Sequence, residues 1–230
     1  GPTYPGNGKR PPADPVPKTL DWDLWCGTAP ERPYSKAYVP FWWRRYWAFG
    51  GGALNDMACH HMDLPFWALK LRHPLRVRAE GSPPTEETCS EWTIVQYEFP
   101  ELKLTWYDGG RQPKLLADLK IKWGGGNLFV GDKGMLLADY SNFRLLPEDR
   151  FKDFERPKPT IPDSVGHYRE WVLACKNGGP TTCNFDYSGA LTECVLLGTV
   201  AYRGGKAFER DPVEMKTKGA PEAQAFVSKE

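Results

Sequence analysis

Asp56 and His60 stand four residues apart in the segment from Phe49 to Asp63, which runs FGGGALNDMACHHMD. On a helix, positions four apart share a face, so Asp56 lies beneath His60 and Asp63 continues the row one turn on. A carboxylate beneath an imidazole favours the imidazolium and can fix its tautomer, an arrangement suited to proton transfer near neutral pH. The same spacing also fits an ordinary surface ion pair. A metal reading draws on His60, Asp56 and Asp63 as nitrogen and oxygen ligands, but no further His or Cys stands at a telling spacing, and no metal is assigned. Gly50, Gly51 and Gly52 let backbone turn sharply and approach a substrate closely.

Other candidates flank this segment. Trp43, Arg44 and Tyr46 are the nearest members of an aromatic run from Trp22 to Phe49, whose rings suit either stacking on sugar C–H faces or core and oligomer contacts. His167, after the stretch from Pro157 to Pro162, either reaches the substrate side or serves structure. Trp106 and Tyr107 face opposite sides of one strand, so a single cleft takes at most one of them.

The elements that must position these residues follow from periodicity. Six prolines between Pro2 and Pro17 deny residues 1–20 helix or interior strand, which predicts an extended arm across a surface. The aromatic run, broken by Pro30, Pro33 and Pro40, reads as irregular loop. A helix is expected from about Ala53 to Leu71, kinked at Pro65. Apolar and polar residues then alternate around Val77, Val95 and Leu104. Pro100-Glu101 and Gly131 to Gly134 are hairpin signals, and short turns imply antiparallel pairing. Helices return from His167 to Lys176, from Ser188 to Arg203 and from Pro221 to Lys229. The expected fold is α+β: residues 1–20 as arm, then residues 21–230 as an open-faced, mostly antiparallel sheet with helices on one face.

Composition narrows the partners. The 230 residues are 40% hydrophobic and 13% aromatic with a net charge of +1, giving no electrostatic footprint for nucleic acid or anionic membrane. No apolar run approaches the roughly 18 residues of a membrane helix. The six cysteines form no C-x-x-C pair and read as reduced, mostly buried thiols. Compartment stays open between cytoplasm and periplasm.

The motif segment resembles the helix motif of the Gfo/Idh/MocA oxidoreductases, in which an Asp and a His four residues later face the substrate. The resemblance extends to Leu20–Gly27 with Ala29–Tyr34, to Thr105–Gly110, to Phe129–Gly134, and to Asn184–Tyr187 with Leu191–Glu193, and it looks like a bacterial branch of the family. It implies a two-domain enzyme acting on a sugar or polyol, with a Rossmann domain for NAD(P) and an open-faced C-terminal sheet that carries substrate residues and oligomer contacts. Within it His60 is the acid/base and Asp56 orients it or binds a neighbouring hydroxyl, while Asp63, Trp43, Arg44, Tyr46 and His167 are the substrate-binding candidates. No G-x-G-x-x-G opens a helix after a strand, and the Glu-Lys-Pro motif carrying the family's lysine is missing. The chain therefore reads as the substrate half, with no Rossmann domain and no cofactor site of its own, dependent on such a domain in cis or in trans. Two alternatives remain open: a Rossmann-free lyase, isomerase or hydrolase using Asp56 and His60, with or without a metal, and a non-catalytic oligomerisation or carbohydrate-binding module.

Overall fold

The computed structural model describes residues 3–211 and 213–228. The arm runs without helix or strand to Leu20, and Asp21 ends it by capping α1 (Trp22–Cys26), its side chain accepting from the Leu24 amide at 3.0 Å. Trp42–Arg45 forms a single 3-10 turn, after which Gly51 and Gly52 start α2 (Gly52–Ala68). Thus two short helical pieces lie in the aromatic run expected to be irregular. The run as a whole follows no helical period; α1 is set by the Asp21 cap and by Trp22 stacking on Trp25 at 4.9 Å, while the 3-10 turn has no side-chain cap and lays Arg45 over the Trp42 ring at 4.0 Å.

Next come β1 (Arg76–Gly81), β2 (Thr93–Glu98), β3 (Lys103–Tyr107), α3 (Lys114–Asp118), β4 (Asn127–Gly131), β5 (Gly134–Ala138) and β6 (Phe143–Leu146). They are followed by α4 (His167–Asn177), α5 (Phe185–Gly204), β7 (Phe208–Asp211), β8 (Lys216–Lys218) and a 3-10 helix, Pro221–Phe226. That last element is tighter and shorter than the helix expected to Lys229, a residue outside the described set, as are Gly1 and Pro2 of the arm.

The strands make two antiparallel sheets, one ordered β3-β2-β1-β7-β8 and a separate one ordered β4-β5-β6, where a single sheet was expected. The α+β class with an antiparallel sheet holds. Period-2 alternation puts Val77, Val95, Tyr97, Trp106 and Phe208 on the buried face of the five-stranded sheet. Against it pack Leu54, Ala58, Met62 and Phe66 of α2 and Leu191, Cys194, Val195 and Leu197 of α5, forming the main core. Each large side chain taken fully out of water there contributes roughly 1.5–3 kcal/mol. The opposite face, with Arg76, Arg78, Gln96 and Lys103, is exposed. A smaller core of Leu116, Leu137 and Leu146 joins α3 to the three-stranded sheet.

Two features hold α2 in place. Pro65 lies inside it, yet the helix continues to Ala68 before Lys70, at φ 52°, turns the chain. Gly198 of α5 sits so close that a Cβ there would come 2.3 Å from the Tyr97 hydroxyl and 3.2 Å from a Leu54 methyl. α5 itself is capped by Asn184, which accepts from the Tyr187 amide at 3.1 Å, and closes at Gly205 in the left-handed conformation.

Candidate active site

With Leu54, Ala58 and Met62 facing the core, the opposite side of α2 is the one that carries Asp56, His60 and Asp63. Asp56 is half-buried, while His60 and Asp63 are exposed. The row foreseen from spacing exists, but the carboxylate and the imidazole do not pair. Asp56 instead accepts from the Tyr4 hydroxyl through Oδ2 and from Arg44 Nε, 3.3 Å away, through Oδ1. A guanidinium and a phenol thus outcompete an imidazole that lies in open solvent. His60 makes neither a hydrogen bond nor an ion pair among the described residues, so its imidazole is free to meet a ligand.

Each partner of Asp56 is itself held. The Arg44 guanidinium lies 4.7 Å from the Phe41 ring centre and 4.6 Å from that of Trp43, and Nη1 donates to the Phe41 carbonyl at 3.2 Å. The Tyr4 ring meets Phe41 edge-on at 5.9 Å. Burial, together with the bond to Asp56 and its negative charge, pushes the Tyr4 phenol up to about 12.

Asp63 has a different neighbour. Its Oδ1 accepts from the Tyr187 hydroxyl at 2.6 Å, which ties α2 to α5. Burial and the Asp63 carboxylate push the Tyr187 phenol up. Trp43 is half-buried beneath Arg44 and shares the wall with it. Tyr46 does not belong to the site: it is buried, edge-on to Tyr38 at 4.8 Å, which corrects the expectation of a ligand-facing ring. His167 opens α4 in the open with its ring 4.2 Å from that of Tyr168, and none of its polar or ring contacts reaches α2.

Sequence reasoning passed over two residues beside this row. His61 lies one step round the helix, half-buried, with its ring 6.2 Å from Trp106 and 5.7 Å from Tyr140. Burial holds its imidazole below the ordinary histidine value. It shares an open hollow with Met57, Gly124, Gly125 and Asp139–Asn142, next to the Asp56–His60 ridge. The His60-His61 doublet was the only signal available, and spacing from Asp56 favoured the first. Tyr4, 52 positions before Asp56, left no local signal at all.

Behind the hollow, Trp106 is fixed by Asp108, a buried carboxylate accepting from Trp106 Nε1 at 2.9 Å, Thr93 Oγ1 at 2.7 Å and the Thr93 amide. Burial raises its carboxyl against the pull of those three donors. Of the six cysteines, only Cys89 and Cys194 are buried, so the expectation of mostly buried thiols is corrected; all are free thiols. Among the described residues no three His, Cys, Asp or Glu side chains gather as a metal site. Among the described residues no helix is long and apolar enough to cross a membrane.

The match to sequence families decides the wider identity. Residues 4–230 fit the model described as the oxidoreductase family, C-terminal alpha/beta domain, of the Gfo/Idh/MocA group. The chain belongs to the Gfo/Idh/MocA oxidoreductase family. Within the family it is the C-terminal domain, and the match spans all the elements described above. No curated protein matches it at a significant level. Among solved structures it is similar to yvaA from Bacillus subtilis, a protein classed as an oxidoreductase, at 13% identity and a TM-score of 0.39. That similarity covers 69% of this chain and 52% of the other, so this chain spans about half the length of that relative.

Proposed function

We propose that this domain is the substrate half of an NAD(P)-dependent sugar or polyol oxidoreductase, with His60 exchanging the proton of the substrate hydroxyl that becomes a carbonyl. The supporting observation is the solvent-facing α2 row, in which an unpaired imidazole stands one turn from a half-buried carboxylate with fixed donors. Imidazole is the side chain that gains and loses protons near neutral pH, and a fixed carboxylate beside it accepts a neighbouring hydroxyl. Asp63 and Arg44 with Trp43 border this row and complete a polar wall with an aromatic edge.

The longest glycine run besides Gly50–Gly52 does not fit a dinucleotide. Gly124–Gly126 lies between α3 and β4 with no helix opening behind it, so no helix N-terminus meets a pyrophosphate there. In this reading NAD(P) belongs to a Rossmann domain supplied in cis or in trans, and its chemistry, hydride acceptance, comes from that domain. In the same reading the exposed face of the five-stranded sheet, where Glu98 and Lys103 pair at 3.5 Å, serves as the surface for homo-oligomer contact. Sedimentation of an Arg78→Glu variant tests that assignment.

The test of function is NAD(P)-linked oxidation of a panel of sugars and polyols by the protein as its gene encodes it. His60→Ala should lower kcat by about 10²–10⁴-fold, the usual worth of a positioned acid/base. Unchanged turnover in that variant would retire the assignment.

A further inference from the structure

The arm is bound to the candidate site by more than one contact. Tyr4 is 4% exposed and donates to Asp56, Arg45 Nη1 donates to the Pro5 carbonyl at 2.9 Å, and the Gly8 amide donates to Thr88 Oγ1 at 3.0 Å. Further along, Arg10 Nε donates to Glu87 at 2.8 Å, and Glu87 also accepts from Arg32 at 3.2 Å. Gly6 is pressed so closely on Thr88 that a Cβ there would come within 2.4 Å of the threonine Cβ. The register of the arm is therefore fixed, and Tyr4 reaches Asp56 because of it.

An ionised carboxylate accepts about four hydrogen bonds through two oxygens. Here each oxygen holds one protein donor, Tyr4 on one and Arg44 on the other. Half the accepting capacity remains, and its direction is set by two donors that cannot move without the arm or the rings beneath Arg44 moving too. The Arg44 charge also balances that of Asp56, so this pair offers acceptor oxygens without a net charge.

We propose that Tyr4 and Arg44 are positioning residues that clamp Asp56 as a fixed, charge-balanced acceptor for a hydroxyl of an uncharged polyol, leaving His60 as the proton carrier. This rests on the functional reading above and deepens it, since it makes the N-terminal arm part of the substrate site and names the role of Asp56. Asp56 then contributes to substrate binding, and the clamp is read out in KM rather than in kcat.

The test compares Tyr4→Phe, Arg44→Gln and Arg44→Lys with Asp56→Asn and His60→Ala, in the protein as encoded. Tyr4→Phe keeps the ring against Phe41 and removes only the hydroxyl. Tyr4→Phe and Arg44→Gln should each raise KM for the polyol by about 10- to 150-fold, the worth of a charge-assisted hydrogen bond, with kcat kept. Arg44→Lys, which keeps the charge, should recover part of the loss. A purely structural arm would lower the unfolding midpoint and leave KM unchanged, and that result would overturn the proposal. A fall in kcat at unchanged KM would overturn it as well. If Asp56→Asn and His60→Ala impair the enzyme while Tyr4→Phe and Arg44→Gln do not, only the clamp falls. If none of the variants has an effect, the functional reading falls and the clamp with it.

Discussion

Replacing Asp108 by alanine should be among the most damaging single changes available in this domain. Its carboxylate sits 4% exposed and takes three donors: the Thr93 amide, Thr93 Oγ1 and Trp106 Nε1. Alanine leaves all three without a partner in a place where water does not reach. A stranded buried donor costs about 1–3 kcal/mol, and the Thr93 hydroxyl can rotate toward another acceptor, so the two rigid N–H groups set an expected loss of about 3–5 kcal/mol. That is a large share of the roughly 5–15 kcal/mol that holds a domain folded. Asparagine restores one acceptor oxygen and should lose about half as much. Urea unfolding followed by tryptophan fluorescence measures both, as a shift in midpoint at constant slope. A loss below about 1 kcal/mol for Asp108→Ala would show that the donors find other partners and that Trp106, the wall behind His61, is not fixed in this way.

Three further outcomes follow from the same geometry. The Tyr97 hydroxyl is buried without a partner, so Tyr97→Phe should leave stability unchanged or raise it by about 1 kcal/mol, measured by the same unfolding assay. Gly198→Ala should cost about 1–3 kcal/mol, because its Cβ would collide with that hydroxyl and with Val95 and Leu54; a neutral result would mean that α5 can back away from the sheet. Tyr4 has its phenol raised from 10.0 to about 12 in the folded state, so the stability it contributes is complete below pH 10 and is lost as pH rises through about 12. Tyr187 and Tyr97 are pushed up as well, so the test is by difference: tyrosinate absorbance should lose one late-titrating tyrosine in Tyr4→Phe, and one should move down in Asp56→Asn.

Much of the frame was legible because it obeys simple periods. The alternation around Val77, Val95 and Trp106 placed three strands, and the apolar run through Leu191 and Val195 placed α5. The helix carrying Asp56 and His60 was found within a few residues of its ends. β7 was missed because Phe208-Glu209-Arg210-Asp211 carries one apolar residue, and pairing with β1 makes it a strand. α3 was missed because five residues are too short to show a helical period. At the site, helical spacing put Asp56 and His60 on one face but could not say which donor the carboxylate would choose. That choice was made by Arg44 and by Tyr4, and the contact with Tyr4 depends on the whole arm being laid down in one register.

The most direct measurement of the central claim is a polyol titration of this domain followed by the side-chain NMR signals of its histidines. The account predicts saturable movement of the His60 ring signals, with no comparable change at His167, and binding weakened about tenfold or more in Asp56→Asn. Movement confined to other histidines, or His60 signals that shift equally well in Asp56→Asn, would contradict it.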